Sequence, residues 1–285
     1  MRPMRGGPRL ALVAGAGAVV FVMALFLPFQ SRPDADPAIL DLDQGVRVWA
    51  SLALGPVAAL GAALGGAWLL LGRWTVRRAA GLIVAAGLWM TLRGAALVGV
   101  SLFGEGSVSP ALGAYLALAG GLLVLGAGVT AFARAPAEVG ARSRAMCALT
   151  IVGTIVYAVA NLVSAARVAP PGFEPSELQV VDLASPPATL LWEALLPATL
   201  MIVLLLSAMR VLTGTAGGTG AMLMGLGLIT AAQFAGILAW ATSGAVDFLA
   251  PRAGVSVGIA AGALVFVAGL LSPTEPLRRP APAPA

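Results

Sequence analysis

The sequence has no histidine, no lysine and a single cysteine, Cys147. Without histidine, the commonest metal ligand, the commonest acid–base side chain and the usual haem axial ligand are all missing. One cysteine excludes an intrachain disulfide, a CxxC redox pair and a cysteine-rich zinc site. No Ser/His/Asp triad can be assembled, and no Gly-rich phosphate loop opens a helix after a strand. Charge is scarce as well: 10% of the 285 residues are charged, against about 25% in soluble domains.

What is present is apolar, with 59% hydrophobic residues and a mean hydropathy of +0.96. There is too little polar surface to cover a water-soluble globule, so the composition implies an integral membrane protein. A helix crossing the hydrocarbon core needs about 20 largely apolar residues. Eight stretches qualify: 10–29, 48–71, 79–103, 110–133, 146–165, 187–209, 219–241 and 254–272. The expected fold is an all-α, polytopic helical bundle of eight transmembrane helices joined by short loops. The net charge of +5 could suggest nucleic-acid binding, but the arginines flank apolar spans, so no nucleic-acid partner is expected.

The arginines also give an orientation. Arg2, Arg5, Arg9, Arg73, Arg77, Arg78, Arg134, Arg142, Arg144, Arg210, Arg278 and Arg279 fall on the N-terminal side of the spans. Arg32, Arg47, Arg167 and Arg252 fall on the other, which by the positive-inside rule puts both termini in the cytoplasm. The acids lean the opposite way. All basic residues being arginine points to a GC-rich bacterial genome, hence the bacterial plasma membrane. The N-terminal MRPMRGGPR followed by an apolar run resembles a signal peptide. The run is long for one and lacks an A-x-A end, so it is read as a retained first span.

A shift of about 140 residues lays the second half on the first. Residues 110–128 fall on 251–269 with eight of 19 positions identical, including Pro110/Pro251, Gly113/Gly254, Gly121/Gly262 and Gly128/Gly269. The expected organisation is a four-helix repeat over 1–140, a second over 141–272 and a disordered Pro/Ala-rich tail over 273–285. Four spans per half make the repeat parallel, with its pseudo-twofold axis along the membrane normal. Gly113, Ala117 and Gly121, like Gly254, Gly258 and Gly262, form small-residue stripes that let helices approach closely, within one chain or across a homodimer.

Only two charged residues lie within spans, Arg93 and Glu193. A charge at membrane depth costs on the order of 2.5–3.5 kcal/mol by insertion scales, so each needs a partner or a cavity. At the helical rise of about 1.5 Å per residue, Arg93 lies roughly 21 Å above the cytoplasmic start of its span. Glu193 lies roughly 9 Å below the outer end of its own, the same level in a core about 30 Å thick. Gln233, which the repeat lays on Arg93, and Asn161 fall at that level too. Pro197 lacks an N–H and leaves the Glu193 carbonyl without its helical donor, and Trp89 and Trp192 lie close along their helices. Arg93, Glu193, Gln233 and Asn161 are therefore the candidate intramembrane polar site.

Two loops are weaker candidates. Asp34, Asp36, Asp41 and Asp43 in the first outer loop lack the Gly turn and terminal Glu of a calcium loop. In the Pro-rich connection 167–188, the segment SELQVVDL suits a short helix or strand over the bundle mouth. Met222 and Met224 are two apart, on different helix faces, and give little support to a soft-metal path. Neither a metal nor a cofactor is expected. In outline, eight spans in two fours resemble bacterial copper-resistance membrane proteins, but histidine-based copper handling is impossible here. The partners expected are the lipid bilayer and a membrane protein or second copy on the Gly-rich faces. The function these features favour is a non-enzymatic accessory or scaffold subunit, with a transporter using an Arg93/Glu193 site as the alternative.

Overall fold

A computed structural model describes residues 7–31, 57–58, 60–68, 76–103, 109–135, 144–178, 187–213, 219–242 and 249–272. Of residues 187–198 it describes the backbone only. Eight helices run through these residues: α1 (Gly7–Ala24), α2 (within 57–68), α3 (Val76–Phe103) and α4 (Leu112–Arg134), then α5 (Arg144–Leu162), α6 (Pro187–Leu212), α7 (Thr219–Thr242) and α8 (Ala253–Leu270). By length and composition α1, α3, α4, α5, α7 and α8 are long and apolar enough to cross a membrane. They overlap the spans expected from the sequence.

On α1 and α4 the inward faces are mostly small and the outward faces large. α1 turns Ala11, Ala14, Gly17 and Ala18 inward, while Leu12, Val19, Met23 and Phe26 are exposed. The same holds for α4, with Gly113, Ala117, Gly120 and Gly121 inside and Leu122 and Val129 outside. Water would drive the large apolar side chains inward. Lipid gives them no such drive, and close packing of small residues then decides the helix faces. The chain is a multi-pass integral membrane protein.

The packing partners run in parallel through the two halves. α4 lies against α1 and α3, and α8 lies against α5 and α7. A methyl group on Gly121 would meet the Thr91 backbone nitrogen and lie 2.6 Å from the Met90 carbonyl carbon. On Gly262, 141 residues later, it would meet the Ala231 nitrogen and lie 2.6 Å from the Gly227 carbonyl oxygen. Gly87 and Gly227, 140 apart, press in the same way on the Leu125 and Phe266 backbones. The glycine stripes are thus used within the chain. Between the halves, α3 packs on α7, with Ala85 against Gly225.

Among the described residues, five short strands add to the helices expected. β1 (Gln30–Ser31) pairs antiparallel with β2 (Ser109–Pro110). β3 (Ala166–Val168) is the centre of a sheet flanked by β4 (Ser176–Leu178) and β5 (Leu249–Pro251). β4 covers the start of SELQVVDL, whose remainder lies outside the described residues. α1 stops at Ala24 rather than at residue 29, because Pro28 cannot continue a helix and disfavours helical backbone before it. Tighter turns close the end, with Leu25, Phe26 and Leu27 N–H donating to the carbonyls of Val22, Met23 and Ala24.

These strands also solve a capping problem. The first amides of a helix have no partner within it, and neither Ala111 nor Arg252 caps its helix through a side chain. Instead the chain leaving α1 and α5, just ahead of β1 and β3, supplies carbonyls. Ala111 and Gly113 N–H donate to Phe29 and Pro28 (3.0 and 2.7 Å). Arg252 and Gly254 N–H donate to Ala165 and Ser164 (both 3.0 Å).

Candidate functional site

Arg93 on α3 and Gln233 on α7 are both buried, 8% and 7% exposed, on helices that pack together between the halves. Arg93 has an interaction partner. Gln233 accepts a hydrogen bond from the hydroxyl of Tyr157 on α5, at 3.4 Å. Asn161, one turn beyond Tyr157, donates from Nδ2 to the Tyr157 carbonyl at 2.8 Å. The Tyr157 ring meets Phe234 edge-on, with centroids 6.2 Å apart. Of the four expected residues, Gln233 is thus joined across helices to Tyr157, while Asn161 bonds back along its own helix to the Tyr157 backbone. Glu193 belongs to α6, and its side chain lies outside the described residues.

Tyr157 was not singled out in the sequence. An aromatic residue in an apolar span reads as packing, and only its depth, one turn from Asn161, could have raised it. In the first half Phe21 takes a similar place on α1. It is fully buried and meets Trp89 edge-on at 5.8 Å. Trp89 therefore packs toward α1. Its indole N–H, the Asn161 Oδ1 and the Thr230 hydroxyl are buried without a hydrogen-bond partner among the described residues. Most other span hydroxyls bond one turn back along their own helix, as with Thr150 to Met146, Thr154 to Thr150 and Ser207 to Val203.

A second polar cluster sits outside the spans, on the three-stranded sheet. The register puts Arg167 opposite Glu177. Glu177 accepts from the Ser164 hydroxyl at 2.5 Å and pairs with Arg252 at 3.0 Å, with Arg167 Nε at 3.9 Å. The Ser164 hydrogen bond, opposed by desolvation and helped by the Arg252 and Arg167 guanidinium groups, holds its carboxyl below the ordinary glutamate range. One carboxylate thereby ties the end of α5 to the start of α8.

At the opposite end of the bundle, Phe132 near the end of α4 carries two guanidinium groups. Arg77 of α3 lies 4.7 Å from the ring centroid and Arg210 of α6 lies 5.5 Å from it. The aspartates of the first outer loop and the Pro/Ala-rich tail lie outside the described residues. Compared with protein families, curated proteins and solved structures, the chain matches none.

Proposed function

We propose that this multi-pass membrane protein is a non-enzymatic accessory or scaffold subunit of a membrane complex. In this reading it lies in a bacterial plasma membrane with eight crossings, both termini cytoplasmic and two parallel four-helix repeats. The recurrence of the Gly121 contact at Gly262, and of the Gly87 contact at Gly227, supports the duplication.

The observation that carries the scaffold reading is how the helix faces are used. Backbone pressed on backbone at missing side chains keys each helix to its neighbour and resists sliding, because the close contact exists at one register only. Gln233 and span hydroxyls such as those of Thr150 and Thr154 are engaged in the chain's own structure. What faces outward is large and apolar, on α1, α4, α5 and α6 above all. A stiff bundle with broad apolar outer faces suits lateral docking in a complex.

The test is purification of the full chain in mild detergent, followed by mass determination of the intact particle. A second polypeptide in fixed stoichiometry, recovered again when that polypeptide carries the tag, is the expected result. A lone monomer or homodimer that a small polar solute stabilises would overturn the scaffold reading.

A transporter is the second reading, favoured by the burial of a guanidinium, Arg93, in a spanning helix and by the unsatisfied Trp89 indole one turn before it. Charge exchange separates the two. If Arg93→Glu and Glu193→Arg each lower folded yield and the double variant restores yield and complex formation, the pair is structural. A double variant that folds but loses solute uptake supports transport.

A further inference from the structure

The geometry points to a binding site for one anionic phospholipid of the cytoplasmic leaflet, in a groove along the C-terminal half of α6. The groove, about 470 Å³, is lined by Val203, Leu206, Ser207 and Arg210 of α6, by Thr213 just past its end and by Met222 of α7. That volume falls in the range of small-molecule sites, roughly 300–1,000 Å³. The α6 residues recur at helical spacing, so they form one continuous face. Their polar groups are graded along it. Ser207 turns its hydroxyl onto the Val203 carbonyl, leaving the inner end apolar, and the guanidinium lies in the last turn.

From Thr213 to Val203 the groove rises roughly 15 Å at 1.5 Å per residue, close to the depth of one leaflet in a core about 30 Å thick. An apolar trough one leaflet deep with a cation at its interfacial end matches an acyl chain carrying a phosphate. Charge complementarity extends beyond Arg210. The Phe132 ring holds the Arg210 guanidinium at 5.5 Å and that of Arg77 at 4.7 Å, bringing a second positive charge, from α3, near the Arg210 end of the groove. Arg78 and Arg134 lie at the same helix ends. Basic pockets between helices on the cytoplasmic side are where anionic head groups bind. A bound lipid would join α6 of the second half to α3 and α4 of the first through its head group. The site is independent of whether the protein is a scaffold or a transporter.

The test uses the purified full chain in detergent, titrated with phosphatidylglycerol or phosphatidylcholine of the same acyl chains and read by native mass spectrometry. Phosphatidylglycerol is expected to be retained about fivefold better, the factor equal to about 1 kcal/mol for one basic residue at a membrane surface. Arg210→Gln should erase that preference while phosphatidylcholine binding stays the same. Met222→Trp, which fills the trough, should weaken both lipids alike, and thermal unfolding without added lipid shows whether each variant is folded. Equal retention of the two lipids by the unaltered chain, which needs no variant, would overturn the proposal. So would full retention by Met222→Trp, or displacement of phosphatidylglycerol by millimolar inorganic phosphate, which would make the site one for a free anion.

Discussion

Replacing Gly121 by alanine tests the packing of the bundle most directly. The new methyl would lie 2.6 Å from the Met90 carbonyl carbon and closer still to the Thr91 nitrogen. Non-bonded carbon contacts need about 3.5 Å, so α3 and α4 must part by roughly 1 Å. Backbone cannot rotate aside as a side chain can, and overpacking of this kind costs about 1–3 kcal/mol. The alanine recovers roughly 0.5–1 kcal/mol of helix preference, leaving a net loss near 1–2 kcal/mol. Gly126, on the same helix, faces outward with nothing within 4 Å of a built methyl. Gly126→Ala keeps the helix gain and meets no clash. In thermal unfolding of the detergent-solubilised chain, Gly121→Ala should lower Tm by roughly 2–8 °C, at about 2–4 °C per kcal/mol. Gly126→Ala should leave Tm unchanged or raise it slightly. Equal behaviour of the two variants would refute the close approach of α3 and α4, and Gly262→Ala provides a replicate at the Ala231 backbone.

Three further outcomes are expected. Tyr157→Phe removes the donor to Gln233 and should cost about 0.6 kcal/mol, typical of a hydrogen bond between membrane helices. The loss with Gln233→Leu should be less than additive, and strict additivity in unfolding would show that the two do not interact. Glu177 is held below the ordinary glutamate range, so its contribution is present above that range and lost as pH falls through the lower folded value. Amide exchange in β3 and β5 should therefore stay slow from pH 7 to 5 and quicken only below about pH 4, with Glu177→Gln abolishing the dependence. Quickening of the unaltered chain between pH 7 and 5 would contradict this. In a Cys147→Ala background, Ser176→Cys, which is exposed, should react with impermeant reagent from outside and Ser143→Cys only from inside. The reverse pattern would invert the proposed orientation.

The spans were legible because lipid as a solvent imposes a length and a composition, both of which can be read along one strand of text. The small-residue stripes were legible as packing faces for the same reason. Their partners were not. Gly121 meets Thr91 and Gly262 meets Ala231, but a glycine every fourth residue suits a contact within the chain or with a second copy equally well. The short strands escaped because Gln30–Ser31 and Ser109–Pro110 are too brief to carry a pattern; they pair beside the point where the Pro28 and Phe29 carbonyls meet the amides at the start of α4.

The candidate site divides in the same way. Sequence placed Arg93, Gln233 and Asn161 at one depth, since rise per residue is fixed by the helix itself. Which of them touch depends on the rotation of each helix about its axis, which no spacing encodes. Tertiary packing turned Gln233 toward α5 and supplied Tyr157 as its donor. The same holds for Glu177, whose two arginine partners come from β3, ten residues away, and from the start of α8, 75 residues away along the chain. Composition and periodicity thus determined the solvent, the spans and their polar exceptions. Contact between helices, a property of three dimensions, decided which exceptions meet.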